Sequence, residues 1–174
     1  MPTAASLALL LAAPAARSFP DGAPWEAAAE PEGCNQCHFD SSATLDSAAL
    51  EIRGLPEHIE PGRLYRLALT LRDDAMMSAG FLLTATANGA PAGRFAAVDE
   101  RTAVQGAQAR STKTGAAPSE NGLAGWLVEW IAPAAVDASV LFDLWANAAN
   151  GDESPFGDAT HRRAWRRAAA GRKD

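Results

Sequence analysis

The chain has 174 residues, of which 48% are apolar and 21% are charged, and this predicts one domain with a real hydrophobic core. A mean hydropathy of -0.12 excludes a polytopic membrane protein and a disordered chain, and a net charge of -6 disfavours a basic nucleic-acid-binding module. With two cysteines and three histidines, the chain can form neither a disulfide-rich scaffold nor a multihaem protein, so any metal chemistry belongs to a single site.

A short apolar run opens the chain between Ala4 and Ala13, and Ala13-Pro14-Ala15 fits a signal-peptidase cleavage pattern. The run is too short to span a bilayer, and no Lys or Arg precedes it, which leaves an uncleaved helix or a misassigned start as the alternative. We interpret residues 1–16 as a signal peptide. Since no second run of spanning length follows, we expect a periplasmic or extracellular product without a transmembrane span.

Residues 17–47, here called the lead-in segment, contain several prolines and glycines without a sustained apolar period, which predicts an irregular structure. Beyond it the apolar residues recur every second position, as in half-buried strands. The predicted strands of the first half lie at 48–52, 64–71 and 80–87, and Asn88-Gly89 predicts a hairpin turn after the third.

Residues 99–122 are polar and predict a long loop or weakly patterned edge strands, whereas alternation at 126–131 and from 140 predicts two further strands. These signals together predict an antiparallel β-sandwich over residues 48–158. We place Trp126 and Trp130 in its core. The one plausible helix is Asp158 to Ala170, which overlaps a basic C-terminal tail of residues 159–174. This tail could contact anionic lipid or an acidic partner, or simply remain solvated.

The lead-in segment carries the attachment pattern of c-type haem, C-x-x-C-H, at Cys34, Cys37 and His38. Two thiols three positions apart can each form a thioether with one vinyl group of the porphyrin, while the adjacent imidazole reaches the iron. Three alternatives remain open: a thioredoxin-like dithiol, a zinc site completed by His58 or His161, and a plain Cys34–Cys37 disulfide.

A set of short motifs follows in fixed order: Gly33-Cys34-x-x-Cys37-His38, Leu50-Glu51-Ile52-x-Gly54-Leu55-Pro56, Pro61-Gly62-x-x-Tyr65, Gly80-Phe81, Gly93-x-Phe95, Trp130-x-Ala132-Pro133 and Ala146-Asn147-x-x-Asn150-Gly151-Asp152. Over residues 18–158 this order resembles the bacterial reeler-like domains, also called the choice-of-anchor V type, that carry CxxCH near the N-terminus. The resemblance implies an extracytoplasmic immunoglobulin-like β-sandwich and no settled activity. Family members often carry a His-Thr pair before the tryptophan strand, where this chain has Arg110 to Gly115.

A haem iron held by His38 leaves its opposite side to Met77, Met76, His58 or His161, or to an open position. Met76 and Met77 are the first choice because they lie in a loop before a predicted strand, and the sequence does not distinguish between them. Near the attachment site, Phe19, Trp25 and Phe39 could form a haem wall or a plug at the end of the sandwich. Asp152, Glu153 and Asp158 could form a calcium loop, but they more simply belong to a solvated turn.

The sequence therefore predicts an exported monohaem c-type protein that binds one covalent haem c and acts in outer-sphere electron transfer with an unidentified redox partner protein. Its acidic body would suit a basic partner. We identify no catalytic residues, and the chain is more consistent with an electron carrier or haem-binding module than with an enzyme. The alternative is a non-redox extracytoplasmic adhesion or binding module with a Cys34–Cys37 disulfide.

Overall fold

The computed structural model describes residue 19 and residues 21–40, 42–135, 139–152 and 154–170, so the predicted signal peptide lies outside the described residues. Within these residues, three short 3-10 helices occupy Trp25–Ala29, Gly33–Gln36 and Thr114–Ala116. Twelve strands occupy β1 Thr44–Leu45, β2 Leu50–Arg53, β3 His58–Ile59, β4 Leu64–Arg72, β5 Ser78–Ala87, β6 Ala90–Pro91, β7 Arg94–Ala97, β8 Thr102–Gln105, β9 Gln108–Ser111, β10 Leu123–Ile131, β11 Val140–Ala149 and β12 Ala159–Ala169.

The strands form the two sheets of an all-β sandwich, which confirms the predicted fold class. One sheet has the order β1-β12-β11-β5-β9-β8, with β3 beside β12 and β6 beside β5, and the other has the order β2-β4-β10-β7. Pairing is antiparallel except where β1 and β3 join β12 in parallel over two residues each. Asn88 and Gly89 both have positive φ and close the predicted hairpin between β5 and β6.

The core lies between the two sheets and follows the period of two in β4, β5, β10 and β11. Along β4, Leu67, Leu69 and Leu71 are buried while the residues between them are more exposed. Trp126 and Trp130 are also buried there, as predicted, and Trp130 packs edge-to-face on Phe142 with ring centroids 4.8 Å apart. This core fixes the larger sheet as a rigid support for whatever packs on its outer face.

The predicted helix from Asp158 to Ala170 is wrong, because β12 pairs along its length with β11. The basic stretch up to Ala169 is therefore a sheet strand and not a tail, and residues 171–174 lie outside the described residues. On its other side, β12 pairs only with the two-residue strands β1 and β3, so most of that edge lies in solvent. Charged arginines are suited to such an exposed edge. Arg162 pairs with Asp143 of β11 at 2.7 Å, and this pairing raises the pKa of its guanidinium.

The lead-in segment packs on the outer face of the larger sheet. Leu82 of β5 and Trp145 of β11 point outwards and form a small buried cluster with Ala27. Arg110 of β9 holds the start of the segment, since its guanidinium donates to the carbonyls of Gly22 and Ala23 and lies 4.3 Å from the centre of the Trp25 ring. The site described next lies between this segment and the sheet.

Candidate functional site

The residues of the CxxCH motif form one tight turn. Cys34 lies in the 3-10 helix Gly33–Gln36, and its carbonyl accepts hydrogen bonds from the backbone N–H groups of Cys37 and His38 at 3.3 and 3.2 Å. A single turn of this kind brings two side chains three positions apart, and the next one, to the same side of the chain. Cys34, Cys37 and His38 accordingly line one cavity.

The turn is fastened to β11 and β12 by close packing and a side-chain hydrogen bond. Gly33 is buried with φ of +48°, and a Cβ there would stand 2.4 Å from the ring of Trp145. The hydroxyl of Thr160 on β12 donates to the side-chain oxygen of Asn35 at 2.9 Å. Only a glycine fits between the turn and the tryptophan, so the position of the motif depends on this contact.

The residues that follow the motif contact the connection between β11 and β12. The backbone N–H of Gly157 donates to the Asp40 carboxylate at 2.6 Å, and the rings of Phe39 and Phe156 meet edge to face at 5.7 Å. The motif is therefore held on both sides by one hairpin. This hairpin also supplies the partner of His38.

The cavity, here called the CxxCH cavity, has a volume of about 580 Å³. It lies over the outer face of the larger sheet, where the beginning of β5, the end of β11 and the lead-in segment converge. Its lining includes the apolar side chains of Phe19, Ala27, Leu82, Ala149 and Pro155, with Lys113 and Asp158 as charged members. A mostly apolar cavity of this size with a few polar groups is typical of a cofactor site.

Cys34 and Cys37 are free thiols, so the disulfide of the alternative hypothesis is not formed in the structure. Burial, together with the neighbouring Cys37, raises the pKa of the Cys34 thiol to about 12. A thioredoxin-like dithiol needs the opposite change, because its thiolate is the nucleophile and a low pKa keeps it charged. The raised pKa of Cys34 is therefore the opposite of the change that a dithiol oxidoreductase needs.

His38 contacts a buried carboxylate that the sequence analysis assigned to a solvated turn. Its Nδ1 lies 2.6 Å from Oδ2 of Asp158, whose side chain is 1% exposed. The same Oδ2 accepts a hydrogen bond from the Asn147 side chain at 3.1 Å, and Oδ1 accepts one from the backbone N–H of Asn150 at 3.0 Å. The assignment of Asp158 to a solvated turn is therefore wrong. A polar Asn147 in the otherwise apolar stretch 144–149 was the sequence signal that could have revealed a buried polar group here.

The two neighbouring methionines occupy different environments. Met77 lines the CxxCH cavity and is 68% exposed, and its backbone N–H donates to the carbonyl of Ala149 at 2.9 Å. Met76 is 5% exposed and belongs to the core of the sandwich. The structure thus separates two candidates that the sequence left equivalent, because it brings Met77 and not Met76 to the cavity.

The other two histidines lie away from the cavity lining. His58 is exposed in β3. His161 is buried in β12, where Nδ1 is 2.9 Å from the Ser47 hydroxyl and Nε2 is 3.8 Å from the Asp73 carboxylate. Burial lowers the pKa of His161, and Asp73 opposes this shift in part.

Of the three aromatics predicted near the attachment site, the structure places Phe19 in the cavity lining. Trp25 packs under Arg110, and Phe39 packs on Phe156. The Trp25 contact lies on the outer face of the larger sheet, and the Phe39 contact lies at the β11–β12 connection. The aromatics fasten the lead-in segment to the sheet.

Within the described part of the chain, no three His, Cys, Asp or Glu side chains are grouped so that they could hold a metal ion. Asp152 instead belongs to a turn in which its carboxylate accepts hydrogen bonds from the backbone of Ser154 and the side chain of Asn150. The described residues thus bring together no ligand set for the zinc or calcium site that the sequence left open. A haem iron differs, because the porphyrin supplies four of its ligands and the chain supplies only axial ones.

Comparison with known proteins identifies the fold. No protein-family model and no curated protein matches the chain. Among solved structures, the reeler domain of human F-spondin is 18% identical, with 76% of this chain and 97% of that chain covered and a TM-score of 0.52. The Reelin-N domain of F-spondin is also 18% identical, with 74% and 93% covered and a TM-score of 0.53. Among the residues that the structure describes, no helix has the length and apolar character needed to cross a membrane. The chain has a reeler-like β-sandwich fold.

Proposed function

We propose that this protein is an exported c-type haem-binding protein that carries one covalent haem c and transfers electrons by an outer-sphere route. The observation that carries the proposal is the common placement of Cys34, Cys37 and His38 on one apolar cavity of about 580 Å³. A CxxCH motif that served only as a structural turn would need neither the third residue nor the adjacent space. The chain would then be a haem-bearing reeler-like domain of the choice-of-anchor V type, located in the periplasm or outside the cell.

The residues present fit the group by their chemistry. Cys34 and Cys37 would hold the porphyrin through thioethers, and His38 would be the proximal ligand. A histidine whose Nδ1 contacts a carboxylate binds metal through Nε2, and the Asp158 contact specifies this arrangement. When bound, haem supplies one-electron redox chemistry at iron, while the chain sets its exposure and its potential.

Met77 is the residue that we propose as the second ligand that the chain would supply to the iron. Met77 lines the CxxCH cavity, and the hydrogen bond from its backbone N–H to Ala149 ties it to the end of β11. Thioether ligation raises a haem potential and suits electron transfer. From the sequence, Met76 was an equal candidate for this ligand and His58 a weaker one. Met76 is buried in the core and His58 lies in β3, so Met77 is the strongest of the three candidates.

A binding module without redox function is the second candidate, and the observation that favours it is the fold. The solved structures most useful for comparison are reeler domains of F-spondin, and 18% identity to them carries no residue-level role across. The CxxCH cavity would then hold some other apolar ligand or remain a packing feature. The two candidates differ in whether the thiols are alkylated by a porphyrin.

Two single variants, H38A and H58A, provide a matched test of the haem proposal. The protein would be produced in the periplasm of a bacterium with active cytochrome c maturation. Absorption spectra would be recorded on the native protein and again after acid–acetone extraction, which leaves only covalently bound haem with the protein. We expect wild type and H58A to retain the same covalent haem spectrum, whereas H38A loses the proximal ligand and its low-spin bands. A wild-type protein that is folded, exported and colourless would overturn the proposal in favour of the binding module.

A further inference from the structure

Asp158 is a charged residue in an unusual place. Its side chain is 1% exposed, although it lies beside a cavity and next to the motif. A buried carboxylate is costly unless it is paired with donors, so its position needs a physical reason. Within the sandwich such a residue gives no packing advantage over an apolar one of similar size.

Three groups from two parts of the chain contact the carboxylate. Asn147 of β11 donates to Oδ2 at 3.1 Å, the backbone of Asn150 donates to Oδ1 at 3.0 Å, and His38 Nδ1 lies 2.6 Å from Oδ2. The first two contacts come from the hairpin that carries Asp158 and fix the carboxylate in place. The third crosses to the lead-in segment and joins the carboxylate to the CxxCH turn.

The distance to His38 is that of a short, charge-assisted contact. An acceptor at Nδ1 places the ring proton on that nitrogen, orients the ring and raises the basicity of the other nitrogen. Since Asn147 and Asn150 hold the acceptor rigidly, the orientation of the ring is set by the β11–β12 hairpin and not by the mobile rotamers of an exposed histidine.

We infer that Asp158 is the positioning residue of His38, and that through this contact it lowers the reduction potential of the bound haem. The inference rests on the proposed function. A carboxylate that accepts the Nδ1 proton makes the imidazole a stronger electron donor to a bound iron, and a stronger donor stabilises the ferric form. Asp158, through His38, and Met77 would therefore act on the potential in opposite directions.

The test compares two aspartates of the same connection. Asp158→Asn keeps the size of the side chain and removes its charge, whereas Asp152→Asn alters an exposed carboxylate of the neighbouring turn. In haem-loaded protein followed by spectroelectrochemistry, we expect D158N to favour the ferrous form at least tenfold, which is about 59 mV for a one-electron couple. D152N should keep the wild-type potential.

A loaded D158N protein with the wild-type potential would overturn the inference and leave the proposed function intact. A wild-type protein that binds no haem would instead defeat the proposed function, and the two failures are thereby distinguished.

A second measurement does not depend on how D158N folds. In the C34A/C37A protein, which cannot form the thioethers, nitrogen-15 NMR reports the tautomer of each histidine at neutral pH. We expect the His38 proton on Nδ1. A predominant Nε2–H tautomer would contradict the role assigned to Asp158, whatever the potential of the variant.

Discussion

A Cβ atom added to Gly33 would stand 2.4 Å from the indole of Trp145, which is closer than any side chain tolerates. Gly33 also has φ of +48°, a conformation that glycine adopts without strain. The contact ties the CxxCH turn to the centre of the larger sheet. It explains why the irregular lead-in segment holds its two thiols and its histidine in one place.

Replacing Gly33 by alanine should therefore displace the turn. We expect G33A to lose about 2–4 kcal/mol of stability where the turn docks, from the steric clash together with the positive φ. Gly62→Ala is the matched control, since Gly62 also has positive φ but a Cβ there would meet open space, so only about 1 kcal/mol should be lost. Urea denaturation compares the two variants, and equal losses would show that the Trp145 contact is unimportant.

The two methionines should respond differently to truncation. M77A should leave the stability within about 0.5 kcal/mol of wild type, because its side chain is exposed, but should change the spin state of a loaded haem. M76A should destabilise the protein by about 2–5 kcal/mol, because it empties space in the core, and should leave the spectrum unchanged. The checks are absorption spectra and denaturant unfolding. A spectral change confined to M76A would reject Met77 as the ligand.

Arg110 should control how firmly the lead-in segment is held. Its guanidinium contacts two backbone carbonyls and the Trp25 ring, so R110A should weaken the docking of residues 21–30 by about 1–3 kcal/mol. Hydrogen exchange should increase in that segment and remain unchanged in β10. Arg94→Ala removes an exposed arginine of β7 and serves as the control. If R110A and R94A both exchange like wild type, the contacts of Arg110 do not stabilise the docking of the lead-in segment.

His161 should make the stability depend on pH. Because burial lowers the pKa of the folded-state imidazole, the unfolded chain binds the proton more readily below a pH of about 6.5. The contribution of neutral His161 is thus fully present above that pH and is lost as the pH falls towards its lowered folded pKa. The charged group facing the ring is Asp73, and Ser47 contacts its Nδ1.

The measurement is urea unfolding at pH 5 and pH 8 for wild type, H161N and H58N. We expect H161N to lose less stability than wild type on acidification, while H58N, altered at an exposed position, follows wild type. The shared carboxylates titrate in all three proteins, so the difference isolates His161. An identical pH response in H161N would contradict the assigned role of burial.

The sequence predicted the strands whose two faces differ in polarity. In β4 and β10 the alternation of leucine, valine and tryptophan with polar residues gave both the elements and the core, and Asn88-Gly89 gave the hairpin. β12 was missed because Arg162, Arg163, Arg166 and Arg167 show helical spacing and no apolar face. Its structure comes from pairing with β11, a non-local contact that local pattern does not carry.

The sequence predicted the CxxCH motif of the candidate site but not its location in the fold. The spacing of Cys34, Cys37 and His38 was legible because thioether chemistry demands it. The cavity was not, because it lies between an irregular segment and the outer face of a sheet. Asp158 was missed for the same reason, since only the folded hairpin brings that carboxylate to Nδ1 of His38.

The most direct test of the account is the intact mass of the exported protein after maturation, combined with titration of its thiols under denaturing conditions. The account predicts a mass increased by one haem and no thiol that reacts, because Cys34 and Cys37 would both be thioethers. A colourless protein of unmodified mass with two reactive thiols would contradict it.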